Sequence, residues 1–452
     1  MINNIGLYNL NNSNNVAFGA KNAPFKTSIA TSPLSYAVSN LCVTKENVPA
    51  LSKVETKLQK QEDIQMYNDI LNAFTVSDKE KYSPQDNVSR QKKLNALLKN
   101  GILLNRNSND GTSVLQSIHK TITNKRAGNI DGVKIAGQIV DTLYNPAIIT
   151  QKFGDVPNEA QVFILDKDKT LKDKMNVNVE GSGTCVAASV EFHMANKQPA
   201  EFARWAESLT SPEVAVKKQV NMSALSKNSL DAAWLLKEFE TETDNFNFNS
   251  SLLTIKPDPN AIVRAQIQDN YWDKGERSIL DVMIQSTLMQ LGSQQSYNSL
   301  TDIRAGKFNS NPQGLIEFEK TFIESVVGNT ERTSVVYQNV DEQQNLVGWN
   351  TPIEQIQKNI TDAIDSNEDV IVGYVLTAGQ CGETSNNPNK IVNGHEITIV
   401  DYKKGLDGKI TFICNDTDDN KAEFVEYSAD YLLPKIHHAS YPVSILENSN
   451  AA

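Results

Sequence analysis

GSGTCVAASVEFHMANK, residues 181–197, is the stretch on which the fold turns. Two glycines, a serine and a threonine lead straight into a helix-forming run, so Cys185 is expected at a helix N-terminus. The partial positive charge of a helix start favours thiolate over thiol. The free N–H groups there can face a developing oxyanion, and Gly183 leaves room for a substrate carbonyl to approach. A cysteine among small residues is, by itself, more often a buried hydrophobe. Any partners must come from elsewhere in the chain.

The distal part of the sequence supplies them. GHEITIVDY (394–402) and KITFICND (409–416) read as strands, and KKGLDG (403–408) reads as the turn between them. A hairpin of this kind returns the end of the second strand to the start of the first. The His395 imidazole is thereby set beside Asn415 or Asp416, either of which would fix its tautomer and ring plane. Side chains alternate across a strand, so only one of these two neighbours faces His395. The register of the hairpin decides which.

Three patches carry a resemblance. Gly183-Thr184-Cys185-Val186-Ala187-Ala188-Ser189 resembles the G-x-C-W-A-F-S motif of papain-like cysteine peptidases. Gly394-His395-Glu396-Ile397 resembles that family's strand-opening histidine, and Ile413-Cys414-Asn415-Asp416-Thr417 its hydrophobic-x-N-S-W. The order of elements agrees over roughly the C-terminal two-thirds of the chain. The resemblance implies an α+β, papain-like fold with the catalytic cysteine at the N-terminus of a helix packed on an antiparallel sheet. It implies Cys185 as nucleophile, His395 as base and, by motif position, Asn415 as the orienting residue. Val186 stands where the family has tryptophan, and no tryptophan follows Asp416. Val179 stands in the place of the family's oxyanion glutamine, which leaves Asn178 and Asn176 as candidate amide donors.

Around this centre the chain divides into four expected segments. Residues 1–50 are Asn-rich at the start, with eight asparagines in residues 1–22, and are expected to be disordered. Residues 51–150 are expected to be helical, with apolar spacing in LSKVETKLQKQ and QKKLNALLKNGILL and a turn at SNDGTS before VLQSIHKTI. They carry none of the chemistry above and read as a structural subdomain, a self-inhibiting pro-segment or a partner-binding module. Residues 151–330 form the catalytic-helix lobe with a helical insertion. Within it, LDAAWLLKEF is expected as one helix, and Ser278 with Asp281 caps another that Gly292 ends. Residues 331–452 carry a helix begun by Thr351-Pro352-x-Glu354, then strands at VIVGYVL, HEITIVDY, KITFICND, FVEY and YPVSIL. His437-His438 is expected in a loop or at a strand start.

Bulk properties exclude several classes. With 452 residues and 39% hydrophobic content the chain can bury a water-excluding core. A net charge of −11 argues against a nucleic-acid partner. No apolar run is long enough to span a bilayer, and no phosphate-binding glycine loop is present. Four cysteines (Cys42, Cys185, Cys381 and Cys414) with no CxxC make no disulfide framework. A zinc set of Cys381, His395 and Cys414 fits no standard spacing, and no metal or cofactor is expected. MINNIGLYNL shows no secretory signal, so the compartment stays open between cytoplasm and a non-classical export route. The expected activity is hydrolysis of peptide bonds in a polypeptide substrate through an acyl-enzyme. Two alternatives stand beside it: a transglutaminase-type acyltransferase in which Asp416 orients the histidine, and a papain-like binding module without activity.

Overall fold

The computed structural model describes residues 27–28, 56–152, 154, 183–221, 225, 243–244, 250–272, 275–293, 296–304, 314–383, 387–418 and 421–446. Helices α1 (Gln61–Val76), α2 (Arg90–Lys99), α3 (Val114–Thr123) and α4 (Gly132–Tyr144) come first. They are followed by α5 (Cys185–Lys197), α6 (Pro199–Leu209), α7 (Ala261–Tyr271), α8 (Ile279–Gly292), α9 (Glu317–Gly328) and α10 (Ile353–Asp365).

The largest sheet among the described residues has seven strands, all paired antiparallel. They are β1 (Thr27–Ser28), β2 (Arg332–Val336), β3 (Val370–Thr377), β4 (Ile391–Lys404), β5 (Ile410–Asn415), β6 (Val425–Ser428) and β7 (Ile436–Pro442), in the spatial order β1-β6-β5-β4-β3-β7-β2. A smaller sheet joins Val216–Asn221, Ser250–Ile255 and Thr243–Asp244. The architecture is α+β.

Two cores flank the large sheet. Ile371, Val400 and Ile413 point to one face and join Leu94, Ile118, Ile139, Val186, Val190, Ile284 and Ile323 in a single apolar cluster. On the other face Val372, Ile397, Ile399, Phe412 and Cys414 pack with Ile356, Ile360 and Ala363 of α10. Helix α5 lies in the middle of the first layer, against α6, α8, α9 and β4. It is therefore buried around nearly its whole circumference, from Val186 to Asn196, as expected for a helix with neighbours on every side. Helices α2 to α4 share this core.

Several local expectations need correction. LSKVETKLQKQ is not a helix where described: residues 56–60 are non-helical and α1 begins at Gln61. Leu58 is the one apolar residue of that stretch and packs on the core without a helical repeat around it. Thr351 is not the cap of α10; Pro352 occupies that position, with no side-chain cap bond. YPVSIL is not a strand of its own, because β7 ends at Pro442 and residues 443–446 turn helical. The strand is instead built around His437 and His438. Ser278 and Asp281 do form the reciprocal cap of α8. Thr27 and Ser28, within the segment 1–50 expected to be disordered, instead pair with β6 as β1; the rest of that segment, LDAAWLLKEF, Asn176 and Asn178 lie outside the described residues.

Candidate active site

Cys185 is the first residue of α5, and it is half-buried while the helix behind it is closed off. Its backbone N–H is in the first turn, where no intrahelical acceptor exists. Thr184, fully buried, anchors the helix start. Its Oγ1 accepts from Arg277 Nη2 at 2.9 Å and meets Gln285 Oε1 at 3.3 Å. Arg277 is itself buried and paired with Asp302 at 3.2 Å. Burial alone would lower the guanidinium's pKa, but the Asp302 carboxylate and Tyr297 hold it above its ordinary value. The Arg277–Asp302 ion pair is thus held against the residue that precedes the cysteine.

His395 enters from β4, next to Tyr374 of β3, with which it is paired in register; the two rings meet edge to face at 5.7 Å. Nε2 lies 2.9 Å from Asp416 Oδ1, and the Cys185 side chain is close enough to the ring to act on its charge. With Nε2 on the carboxylate, Nδ1 is the nitrogen left for sulfur. Burial of the imidazole would lower its pKa, but Asp416 and Cys185 outweigh that and raise it well above the ordinary histidine value. Asp416 is held on both oxygens. Oδ1 also accepts from the Asp418 N–H at 3.2 Å, and Oδ2 accepts from the Tyr427 hydroxyl at 3.0 Å.

The choice between Asn415 and Asp416 is made by a β-bulge. Starting from the turn, Lys404 pairs with Ile410 and Asp401 with Ile413; the register then slips, so that Ile399 pairs with Cys414 and Thr398 with Asn415. Val400 is the extra residue. Without it, Ile399 would face Asn415, and Asn415 would share the face of Ile399, Ile397 and His395. One inserted residue moves every later side chain to the opposite face. Asn415 thus shares the face of Thr398, its Oδ1 buried without a hydrogen-bond partner, and Asp416 takes the place beside His395. The motif-based choice of Asn415 is corrected on this point.

The remaining candidates separate cleanly. His193 lies at the far end of α5, 3.7 Å from Asp369. Cys414 is fully buried in the sheet core and Cys381 is exposed. Cys381, His395 and Cys414 do not come together as a metal-ligating group.

One residue was missed in the sequence. Gln151 is 4% exposed and is tied to both halves of the site. Its N–H donates to Thr417 O at 2.9 Å, and its Oε1 accepts from Thr417 Oγ1 at 3.1 Å, just past Asp416. Its carbonyl accepts from Arg277 Nε at 3.1 Å, and the same guanidinium grips Thr184 beside Cys185. Nothing local in TQKF signals this role, which arises wholly from long-range hydrogen bonds.

The chain matches no family model, no curated protein and no solved structure.

Proposed function

We propose that the chain is a thiol hydrolase of papain-like type that cleaves peptide bonds in a polypeptide substrate. The observation that carries this reading is the line Cys185–His395–Asp416, with Nε2 and Oδ1 2.9 Å apart and the Cys185 side chain within electrostatic reach of the imidazole. A helix-start cysteine, a strand-borne histidine and a carboxylate at the end of the next strand supply nucleophile, acid/base and orienter in the roles thiol catalysis needs.

In this reading Cys185 Sγ attacks the scissile carbonyl, forming the C–S bond. His395, carrying the proton, gives it to the leaving amine as the C–N bond breaks. Water then loses a proton to the neutral imidazole and displaces the thiolate from the acyl-enzyme, which restores the imidazolium. Asp416 holds the ring plane and stabilises its charge throughout. The Cys185 N–H faces the oxyanion, and we assign the side-chain donor to Gln151 because Thr417, next to Asp416, and Arg277, on Thr184, hold it between the two halves of the site. Gln151→Ala is expected to lower kcat by about 10²–10³, the usual cost of an oxyanion donor, with little change in KM. An unchanged kcat would move that role to residues 155–182, where Asn176 and Asn178 lie.

Helices α2 to α4 share a fully buried core with α5, which favours an integral subdomain over a detachable pro-segment. A second reading is favoured by one observation: the orienter is a carboxylate, as in the transglutaminase-type Cys-His-Asp arrangement. A glutamine-containing peptide offered with a primary amine separates the two. Chain cleavage supports hydrolysis; an isopeptide product with the chain intact supports acyl transfer. Neither product from any peptide tested, together with no thiol capture at Cys185, would leave a binding module as the better account.

A further inference from the structure

Behind the catalytic strand, on the α9 side of the sheet, three side chains converge that the thiol chemistry does not use. His437 Nδ1 and His438 Nδ1 lie 3.0 Å apart, and Glu317 Oε1, from the first residue of α9, lies 3.5 Å from one and 3.6 Å from the other. Adjacent residues of a strand normally point to opposite faces. These two do not, because β7 carries a bulge there. Gly373 pairs with His438 and Tyr374 with Ile436, leaving His437 as the extra residue. Bulges of this kind re-aim side chains.

The neighbours are fitted to the cluster. Gly373 has no side chain, and a Cβ there would collide with the His438 ring and the Glu396 carboxylate. His438 Nε2 is 2.7 Å from Glu396 Oε1, and the other oxygen of Glu396 is held by Lys320 Nζ at 3.0 Å. A carboxylate on one ring nitrogen keeps the proton there and turns the lone pair of the other nitrogen outward, the arrangement that supports metal-bound histidines.

We propose that Glu317, His437 and His438 form a binding site for a divalent transition-metal ion, zinc in the first instance, with Glu396 orienting His438. The three distances are those of a tetrahedral face. Ligands about 2.0–2.1 Å from zinc stand about 3.3 Å from one another, between the shorter and the longer separations seen here. A hydrogen bond between the imidazoles would account for the 3.0 Å side of the triangle only; it gives no reason for a carboxylate oxygen equidistant from both nitrogens and bonded to neither. Two imidazoles and one carboxylate suit zinc rather than calcium or magnesium. The Glu317 side chain keeps 14% of its surface exposed, so an ion can enter from that side and retain a water as fourth ligand. The ion would join α9 to β7 and, through Glu396, to β4, the strand that carries His395.

The test uses the full chain with Cys185→Ala, so that the reactive thiol cannot hold metal. After removal of metal by a chelator, Zn²⁺ is titrated against a chromophoric competitor. One equivalent is expected to bind. His437→Gln and His438→Gln are each expected to weaken binding at least about 100-fold, and Glu396→Gln about 10–100-fold, the usual range for an orienting partner. Co²⁺ should give the intense visible bands of a four-coordinate site in the parent and not in His437→Gln. Glu317→Gln, at a partly exposed helix start, keeps the test open should a buried histidine variant not fold, and at least a tenfold loss is expected. A parent protein that takes up no zinc, or a Glu317→Gln protein that titrates as its parent does, would overturn the proposal.

Discussion

Cys185→Ala is expected to abolish peptide turnover and capture by a thiol-directed peptide electrophile, with neither Cys381 nor Cys414 able to substitute. Cys414 is fully buried between β4 and β6 and cannot meet a substrate. Cys381 is exposed, but partial burial and the nearby Glu383 push its thiol above the ordinary value, which lowers the thiolate fraction at neutral pH. Of these three, Cys185 stands at a helix start with the His395 imidazole within electrostatic reach. His395→Ala should leave the thiol in place yet reduce kcat by about 10²–10⁴, the range for loss of a positioned acid/base. The measurement is mass-spectrometric identification of the labelled residue, together with initial rates on a peptide that the parent cleaves. If Cys185→Ala and His395→Ala both retain the parent rate, the thiol mechanism is wrong.

How much of this could be read in advance differs from residue to residue, for physical reasons. Cys185 at a helix start was legible because small residues end abruptly in a helix-forming run, and the α5 boundary falls there. The β4–β5 hairpin was legible because β-branched runs flank KKGLDG, where Gly408 adopts a positive φ of 81° and Gly405 N–H meets Lys409 O at 2.8 Å. The bulge at Val400 was not, since IVDY contains no glycine or proline to mark an inserted residue and the preference for it comes from packing. Val400 turns into the α5 core, and Ile399 and Phe412 fill the core under α10. Motif position pointed to Asn415 for that reason. The same limit hid the second bulge, at His437, which turns two consecutive histidines to one place. Gln151 was hidden differently: its contacts are to Thr417 and Arg277, remote in the chain, and no periodicity records a hydrogen bond between distant loops.

The Val400 bulge carries the prediction that separates the two candidate orienters. Asp416→Ala should lower kcat/KM by about 10²–10⁴, because the imidazole loses both the acceptor for Nε2–H and the charge opposing its own. Asn415→Ala should cost less than about tenfold, since Asn415 faces away from His395 and its Oδ1 accepts no hydrogen bond. Asp416→Asn divides orientation from charge: an amide oxygen can still accept from Nε2, and the Tyr427 hydroxyl can turn to accept from the new NH₂. The sign of the pH effect then follows. In the parent, burial lowers the His395 pKa while Asp416 and Cys185 raise it further, with a net upward shift. Removing the carboxylate charge lets burial count for more, so the imidazolium is lost at lower pH and the alkaline limb of kcat/KM moves toward neutrality. Stability should follow the same linkage. A raised histidine pKa adds stability that is fully present below the unfolded value near pH 6.5 and is lost as pH rises through the folded value. The parent should therefore exceed Asp416→Asn in stability most clearly on the acid side of that window, with the gap closing above it. Should Asn415→Ala instead be the damaging change, with Asp416→Asn keeping the parent's alkaline limb, the register would have to be the one without the bulge and Asn415 the residue that holds the ring.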